Sequence, residues 1–292
     1  MPSICPVCGG DCRPWFARAA RHFERCPCCG LIVVPEGLAR DAAGVSIYES
    51  AESVFLADGN EGYYLDEEVA LANARLKRAW LERHLGPGAR LLDAGANFGH
   101  FLKVAGELYE ASGFDISPAA VRWSREHFGV RNEVGSVYDA EPAGRPFDAV
   151  TSWDVVEHLS DPLAALARMC DLLRPRGWLF LSTPDAGSLA ARLLGRHWYY
   201  LDPVQHLSIF SRRNLADALA RCGFRLERIG TLGHRYRLGY AFDRLAYLNR
   251  GSWLGRVFGL GGRLFGPLRR GSVYLNPGDV LILSARRVER TA

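Results

Sequence analysis

The spacing of apolar residues changes along the chain between helical and strand-like patterns. Apolar side chains recur one or two helical turns apart over residues 69–85, which predicts a helix. From Arg90 onward, short apolar runs alternate with segments of helical spacing. The predicted strands are 90–94, 111–115, 130–134, 147–152, 177–182, 224–230 and 280–286, and the predicted helices are 98–109, 118–128, 161–173 and 211–222. Such interleaving predicts an α/β fold with a doubly wound, mostly parallel sheet, which binds ligands beyond the carboxyl ends of its strands.

The first of these strands runs into a glycine-bearing turn. Residues 90–100 read Arg-Leu-Leu-Asp-Ala-Gly-Ala-Asn-Phe-Gly-His, so Asp93 ends the strand and Gly95, Asn97 and Gly99 form the turn. Glycine lets a ligand approach the backbone and the helix N-terminus closely, and Asn tolerates left-handed backbone better than most residues. A second acid, Asp115, ends the next strand about 20 residues later, where a carboxylate can accept both hydroxyls of a ribose. The sequence therefore predicts a nucleotide-binding site.

These motifs resemble the class I S-adenosylmethionine (SAM) dependent methyltransferases over residues 76–233 and the last strand. The resemblance implies a Rossmann-like, seven-stranded sheet whose last strand, 280–286, is an antiparallel edge strand. It also implies that Asp93 and Gly95 lie beside the amino-acid part of SAM and that Asp115 binds the ribose. The other cofactor-binding positions that it implies are Asn97, Gly99, Ile116, Val137 and Trp153. A Rossmann oxidoreductase is the alternative, but Gly95, Asn97 and His100 occupy the places of its G-x-G-x-x-G fingerprint.

Candidate catalytic residues follow the fourth strand, in the stretch Trp-Asp-Val-Val-Glu-His. On a helical turn, Asp154, Glu157 and His158 share one face, and His206 could join them from a later loop. The pattern resembles the O-methyltransferases of ubiquinone biosynthesis and, more distantly, the small-RNA 2′-O-methyltransferases. That resemblance implies that these four residues hold a divalent cation, although Asp154 is one methylene shorter than the usual Glu. Without a metal, His158 or His206 would act as general base, and a purely structural role for the Glu157-His158 pair is the remaining alternative.

The N-terminal region contains the same cysteine motif twice. Cys5 and Cys8 form one C-x2-C pair, Cys26 and Cys29 form another, and the 17-residue spacer fits a zinc pattern. We therefore expect a structural zinc ribbon over residues 1–35, with a disulfide pair as the alternative. Three nearby residues could replace one ligand: Cys12, His22 and Cys28.

Two stretches join helical apolar spacing to basic and aromatic flanks. They are residues 186–201 and 253–268, and each suits a helix at a membrane surface, a core helix, or a wall of the acceptor pocket. From Arg235 to the end, 11 arginines stand against three acids, which suits anionic lipid headgroups. Residues 36–75 are interpreted as a linker or lid, whose candidate covering residues are Tyr48, Tyr63 and Tyr64.

Composition narrows the function classes further. The 292 residues, 48% of them hydrophobic, are enough for one α/β domain with additions, and no charge-free apolar run is long enough to span a membrane. A net charge of +4 is below that typical of nucleic-acid binders. Without a signal-peptide pattern, we expect a cytoplasmic protein, which could contact the inner face of the membrane. After the ribbon and the linker or lid, we divide the rest of the chain into two segments. They are a SAM-binding core at 76–234 and a basic amphipathic insertion with the final strand at 235–292.

The predicted function is SAM-dependent methylation of a hydroxyl on a small or lipid-like acceptor. The cofactors expected are SAM, a structural zinc ion and a second divalent metal at the active site. Three alternatives stay open: a C- or N-methyltransferase acting on a sugar or natural-product intermediate, an RNA methyltransferase, and a non-enzymatic SAM-binding module.

Overall fold

A computed structural model describes residues 3–18, 21–36, 66–202, 205–239 and 271–289. The predictions for Tyr48, Tyr63, Tyr64 and residues 253–268 lie outside these ranges. Most of residues 36–75, which are predicted to form a linker or lid, also lie outside these ranges. In the described residues, no helix combines the length and the apolar character that crossing a membrane requires.

The centre of the molecule is a seven-stranded sheet. Its strands are β4 (Arg90–Ala94), β5 (Glu110–Asp115), β6 (Asn132–Val134), β7 (Phe147–Trp153), β8 (Leu173–Pro184), β10 (Phe224–Thr231) and β13 (Val280–Arg287). Their order across the sheet is β10-β13-β8-β7-β4-β5-β6. Neighbouring strands from β8 to β6 pair in parallel, whereas β13 is antiparallel to both β8 and β10. The predicted mostly parallel, doubly wound fold is confirmed.

The prediction that the last strand forms an edge of the sheet is wrong. Strand β13 lies between β8 and β10, and residues 280–285 are all buried. Burial on both faces is typical of a strand inside a sheet whose two faces are covered by helices, and β13 pairs with a neighbouring strand along each edge. Strand β10 takes the edge, and Phe224 is the one fully buried residue among its eight.

Six α-helices are described. They are α1 (Glu67–Leu81), α2 (His100–Ala105), α3 (Pro118–Phe128), α4 (Pro162–Leu172), α5 (Leu189–Leu194) and α6 (Arg212–Arg221). Helix α2 is shorter than predicted because Gly99 precedes it in a left-handed conformation and Gly106 ends it. The Ser117 side chain caps the start of α3 and a left-handed Gly129 follows its end, so both boundaries agree with the sequence prediction.

A second, four-stranded sheet combines three N-terminal strands with one strand from the later part of the chain. Strands β1 (Arg13–Arg18), β2 (Arg21–Arg25) and β3 (Ile32–Val33) pair in order, and β3 then pairs with β9 (Ser208–Ile209). Behind this sheet, Leu31 and Val33 belong to the same hydrophobic cluster as Phe210, Leu215 and Leu219. The ribbon therefore shares a core with the α/β sheet.

The segment 186–201 differs from the long amphipathic helix that its spacing suggests. Helix α5 has only six residues, and Trp198 and Leu201 are buried against Phe23 and Ile32. Four apolar side chains of the segment are exposed: Leu189, Leu193, Leu194 and Tyr199.

A small two-stranded sheet lies against α1. It consists of β11 (His234–Arg237) and β12 (Ser272–Leu275). The Asn73 amide donates to the Arg235 carbonyl at 3.1 Å, and the Arg235 N–H donates to Asn73 Oδ1 at 2.7 Å. These bonds hold β11 beside the helix.

Candidate active site

The turn after β4 has the backbone that its glycines predict. Gly95, Asn97 and Gly99 have φ angles of +86°, +47° and +73°. A Cβ atom at Gly95 would lie 2.5 Å from Val155 Cγ2, so any side chain there would collide with the loop after β7. The two loops approach each other this closely because glycine stands at the contact.

Asp115 lies at the end of β5 and is held by backbone donors. Its Oδ2 accepts the Asn97 N–H at 2.8 Å, and its Oδ1 accepts the Ser117 N–H at 2.9 Å. Burial raises the pKa of Asp115, and these two hydrogen bonds oppose that rise. Each oxygen retains a second lone pair, so the carboxylate can still accept the hydroxyls of a ribose.

The neighbouring positions differ in their access to a ligand. Ile116 is 43% exposed beside Asp115, as an apolar residue that covers an adenine ring would be, whereas Val137 and Trp153 are buried. Asp93 is 1% exposed and accepts the Thr151 hydroxyl at 2.6 Å. Burial raises the pKa of Asp93 to about 7, and its hydrogen bond to Thr151 joins β4 to β7.

Glu157, His158 and His206 come together after β7. One ligand atom from each residue lies within 4.8 Å of the other two. His158 Nδ1 lies 2.8 Å from the Gln205 carbonyl, and His206 Nδ1 lies 2.6 Å from the Tyr200 carbonyl. A neutral imidazole that donates from Nδ1 carries its lone pair on Nε2, which is how carbonyls orient metal-binding histidines.

The buried surroundings decide the charges in this cluster. Burial lowers the pKa of His158 to about 3 and also lowers that of His206. Burial, and then the charge of Asp154, raises the pKa of Glu157 well above its ordinary value. The Glu157 carboxyl accepts the Thr183 hydroxyl at 2.9 Å. Neutral imidazoles and a buried carboxyl are a set of groups that a divalent cation would stabilise.

Asp154, the fourth residue of the predicted metal set, does not join this cluster. Its Oδ1 accepts the Ser182 hydroxyl at 2.8 Å, and its Oδ2 lies 3.4 Å from Lys77 Nζ. Burial opposes ionisation of Asp154, but the positive charge of Lys77 and the interaction with His234 lower its pKa overall. The reason for the separation is the backbone: Asp154 has a φ of +56°, and the 3-10 turn of residues 156–158 begins only after it.

Several residues at the site were missed in the sequence reasoning. Lys77 comes from α1, Ser182 and Thr183 from the end of β8, and His234 from β11. The strand-end rule could have found Ser182 and Thr183, since both close the strand next to β7. No local pattern identifies Lys77 or His234, because only the packing of α1 and β11 brings them to the site.

The four predicted cysteine ligands lie together. The Sγ atoms of Cys5 and Cys29 are 3.6 Å apart, those of Cys8 and Cys26 are 3.4 Å apart, and all four lie within 4.8 Å of one another. Tetrahedral zinc with bonds of about 2.3 Å requires sulfurs separated by about 3.8 Å. None of the eight cysteines forms a disulfide.

The three residues considered as spare ligands stand outside this group. Cys12 is fully buried, and burial raises its pKa to about 12. Cys28 is exposed, and His22 pairs with Glu36.

Comparison with known proteins identifies the family. Residues 64–229 match the model of a methyltransferase domain family, and the chain belongs to this family. The chain is a class I SAM-dependent methyltransferase, in agreement with its sheet order and with the loop between β4 and α2.

Two curated relatives are named ubiquinone biosynthesis O-methyltransferase. The protein of Xanthomonas campestris pv. campestris is 40% identical over 134 residues, which is 39% of this chain and 56% of the relative. That of Xanthomonas axonopodis pv. citri is 36% identical over 165 residues, or 49% of this chain and 65% of the relative. The matched region thus spans between about half and two thirds of these relatives.

Solved structures share the fold at low sequence identity. One is the Burkholderia thailandensis 1,6-didemethyltoxoflavin-N1-methyltransferase with bound S-adenosylhomocysteine. Its identity is 19% and its TM-score 0.52, with 95% of this chain and 100% of that chain covered. A SAM-dependent methyltransferase of Thermotoga maritima has 15% identity and a TM-score of 0.53, with 80% and 97% covered.

Proposed function

We propose that this methyltransferase transfers the methyl group of SAM to a hydroxyl group of a small or lipid-like acceptor, beside Glu157, His158 and His206. The observation that carries the proposal is the convergence of one carboxyl and two Nδ1-bonded imidazoles within 4.8 Å. The name of the matched Xanthomonas relatives, which are O-methyltransferases, supports the same chemistry.

We propose that the cluster holds a divalent cation. A cation bound there would lower the pKa of the acceptor hydroxyl and orient its oxygen toward the methyl group. The lowered pKa of His158, at about 3, argues against its use as general base, since an efficient base has a pKa near the working pH. Neutral imidazole is instead the form that binds metal ions.

The atoms of the reaction balance with one proton released. The acceptor oxygen forms a bond to the methyl carbon while the carbon–sulfur bond breaks, and the electron pair of that bond stays on sulfur. The products are the methyl ether, S-adenosylhomocysteine and a proton. Thr183 holds the Glu157 carboxyl in place, and the Gln205 and Tyr200 carbonyls fix the two imidazole rings.

The exposed apolar side chains of α5 and its flank support a lipid-like acceptor. Leu189 and Leu193 are 62% and 77% exposed, and the same segment continues through Tyr200 to His206. Exposed apolar side chains of this kind can guide a hydrophobic acceptor, or rest on the cytoplasmic face of a membrane that contains it.

We also propose that Cys5, Cys8, Cys26 and Cys29 bind one structural zinc ion. The two turns have matching backbone hydrogen bonds: the Gly9 N–H donates to the Cys5 carbonyl, and the Gly30 N–H donates to the Cys26 carbonyl, both at 2.9 Å. Each turn thus presents its two sulfurs on the same side.

The test combines metal removal with identification of the acceptor. Protein treated with EDTA is incubated with methyl-labelled SAM and an extract of its host, with and without added Mg²⁺ or Mn²⁺, and the products are divided into organic, RNA and polar fractions. We expect cation-dependent label in an alkali-stable ether in the organic phase, and loss of that label in His206→Ala.

Three results would contradict the proposal. Full labelling without cation, while the ribbon zinc is retained, would remove the metal. Label in RNA would favour an RNA methyltransferase, in which the ribbon and the arginine-rich tail bind the substrate. Label on nitrogen or carbon of polar metabolites would favour the sugar or natural-product alternative.

A further inference from the structure

The end of the sheet opposite the candidate active site carries an arginine-bearing cleft of about 360 Å³. It is lined by residues 84–89, Asp148, Arg174, Trp178 and Arg286. Its volume is within the range of small-molecule sites, about 300–1,000 Å³. Asp148 is the second residue of β7, whereas the candidate active site follows Trp153 at the end of that strand. The two sites are therefore separated by roughly 17 Å of strand.

Arg286 is held over an indole ring and forms no ion pair among the described residues. Its guanidinium carbon lies 4.4 Å from the centre of the Trp178 ring, and its Nε atom is buried without a hydrogen-bond partner in the described structure. The His84 ring lies 4.4 Å from the same indole, and its Nε2 atom is 3.2 Å from Ser284 Oγ. Stacking fixes the plane of a guanidinium and leaves its outer N–H groups available, so little further ordering is needed when they bind an oxyanion.

Two acidic side chains near the cleft are already paired with arginines. Asp148 accepts the Arg174 Nε–H through Oδ1 and the backbone N–H of Arg90 through Oδ2, the latter at 2.8 Å. Glu227 accepts two N–H groups of Arg225, at 2.9 and 2.6 Å. The Arg174 side chain is 50% exposed, and because it uses Nε for Asp148, its two terminal nitrogens can bind an anion in the cleft.

Two further arginines make the surroundings of the cleft more positive. The guanidinium carbons of Arg83 and Arg228 lie 4.9 and 5.2 Å from the centre of the Trp80 ring, and neither arginine forms an ion pair within the described part of the chain. Burial lowers the pKa of His84, and the positive charges of these two arginines and of Arg286 lower it further. Three positive charges without a paired carboxylate thus act on one place.

We propose that this cleft binds a ligand through a phosphate group, with Arg174 and Arg286 as the binding residues. The two guanidiniums come from different strands, β8 and β13, so they can bind different oxygens of one tetrahedral group. Phosphate suits the cleft better than a single carboxylate does, because it offers three oxygens and a charge of about −1.5 to −2. The phosphate can belong to a soluble metabolite or to a lipid headgroup, since the chemistry of recognition is the same. The inference depends neither on the methyl acceptor nor on the cation proposed at Glu157.

Calorimetric titration with pyrophosphate tests the assignment. The protein is saturated with S-adenosylhomocysteine in buffer without divalent cations, so that the cofactor loop and the proposed cation cluster do not contribute. We expect the wild type to bind pyrophosphate more tightly than malonate, a dicarboxylate. Arg286→Gln should weaken pyrophosphate binding about ten- to a hundredfold, and Arg286→Lys should weaken it less, because Lys keeps the charge but not the planar fork. The affinity for S-adenosylhomocysteine should stay unchanged in both variants, which reports that they fold.

Two more variants make the test specific. Arg174→Gln changes a half-exposed side chain and should also weaken pyrophosphate binding, which gives a measure independent of the contact between Arg286 and Trp178. Arg122→Gln is the matched control, since it removes the same charge from an exposed position on α3. Its affinity for pyrophosphate should equal that of the wild type.

Sedimentation with phosphatidylcholine vesicles that contain phosphatidic acid identifies the source of the phosphate. Binding to these vesicles that Arg286→Gln abolishes would support a lipid headgroup, whereas pyrophosphate binding without vesicle binding would support a soluble ligand. The proposal is overturned if the wild type does not bind pyrophosphate at millimolar concentration, or if malonate binds as tightly. Equal affinities of Arg286→Gln, Arg174→Gln and Arg122→Gln for pyrophosphate would overturn it as well.

Discussion

Buried titratable side chains surround the SAM loop, and His100 is one whose effect can be isolated. Its ring lies among the rings of Trp123 and Phe128, and its Nε2 atom is buried with no partner in the described structure. Burial lowers the pKa of His100 to about 4. The unfolded chain has an imidazole pKa of about 6.5, so between these two values the unfolded state binds more protons. This residue therefore makes the fold less stable as the pH falls from about 6.5 toward 4.

We expect His100→Phe to reduce the sensitivity of the fold to acid. Phe keeps the aromatic contacts and removes the proton-binding nitrogen. Between pH 7.5 and pH 5, the free energy of unfolding should fall by about 1–2 kcal/mol less in the variant than in the wild type. Urea titrations at the two pH values measure this difference, and His197→Gln on the surface is the control. An equal loss in His100→Phe and wild type would contradict the assignment.

The positions of single residues were predictable where a motif and a strand end coincide. Asp115, Asn97 and Gly95 stand where the spacing puts them, since the turn after a strand fixes both backbone and side chains. Asp154 was grouped with Glu157 because their spacing suits a helix, but a positive φ at Asp154 turns its side chain toward Lys77 instead. A change in one backbone angle has no signature in residue spacing.

At the scale of elements, the turn between β4 and α2 depends on its first glycine. We expect Gly95→Ala to destabilise the protein by more than about 2 kcal/mol and to weaken S-adenosylhomocysteine binding. The new Cβ would collide with Val155, and alanine would also have to adopt a positive φ. Gly129→Ala is the matched comparison, since Gly129 also has a positive φ but no atom lies within 4 Å of the added Cβ. It should cost about 1 kcal/mol and leave binding unchanged.

Chemical denaturation and calorimetric titration with S-adenosylhomocysteine measure both variants. The double variant Gly95→Ala with Val155→Ala should recover part of the lost affinity, because it removes the colliding methyl groups. Equal costs for the two glycine substitutions would show that contact with Val155 does not matter.

Boundaries of elements were predictable where capping residues stand at them, as Ser117 and Gly129 do for α3. The place of β13 was not, because the neighbours of a strand depend on the whole sheet. Its unbroken apolar run over residues 280–283 did contain the relevant signal, since an edge strand rarely hides both faces. Likewise, the contact between Asn73 and Arg235 joins segments 162 positions apart, beyond any local pattern.

At the scale of the whole molecule, the proposed zinc site lies in a ribbon that shares a core with the α/β sheet. We expect the purified protein to contain one zinc ion per chain and Cys29→Ser to lose it, with a clear fall in melting temperature. Cys28→Ser should keep the ion, because this exposed thiol lies outside the ligand group. Metal analysis and thermal denaturation measure both effects. Zinc retained in Cys29→Ser, or lost in Cys28→Ser, would mean that another residue is a ligand.

The pairing of β3 with β9 has a consequence for how such a protein can be altered. The Val34 N–H donates to the Leu207 carbonyl at 3.0 Å, and the Leu207 N–H donates to the Glu157 carbonyl at 2.8 Å. Deleting the first 36 residues would uncover Ile209, Trp198 and a strand edge within a few positions of His206. The ribbon is therefore not a detachable module, and a chimera that exchanges it between methyltransferases would have to exchange residues 196–210 with it.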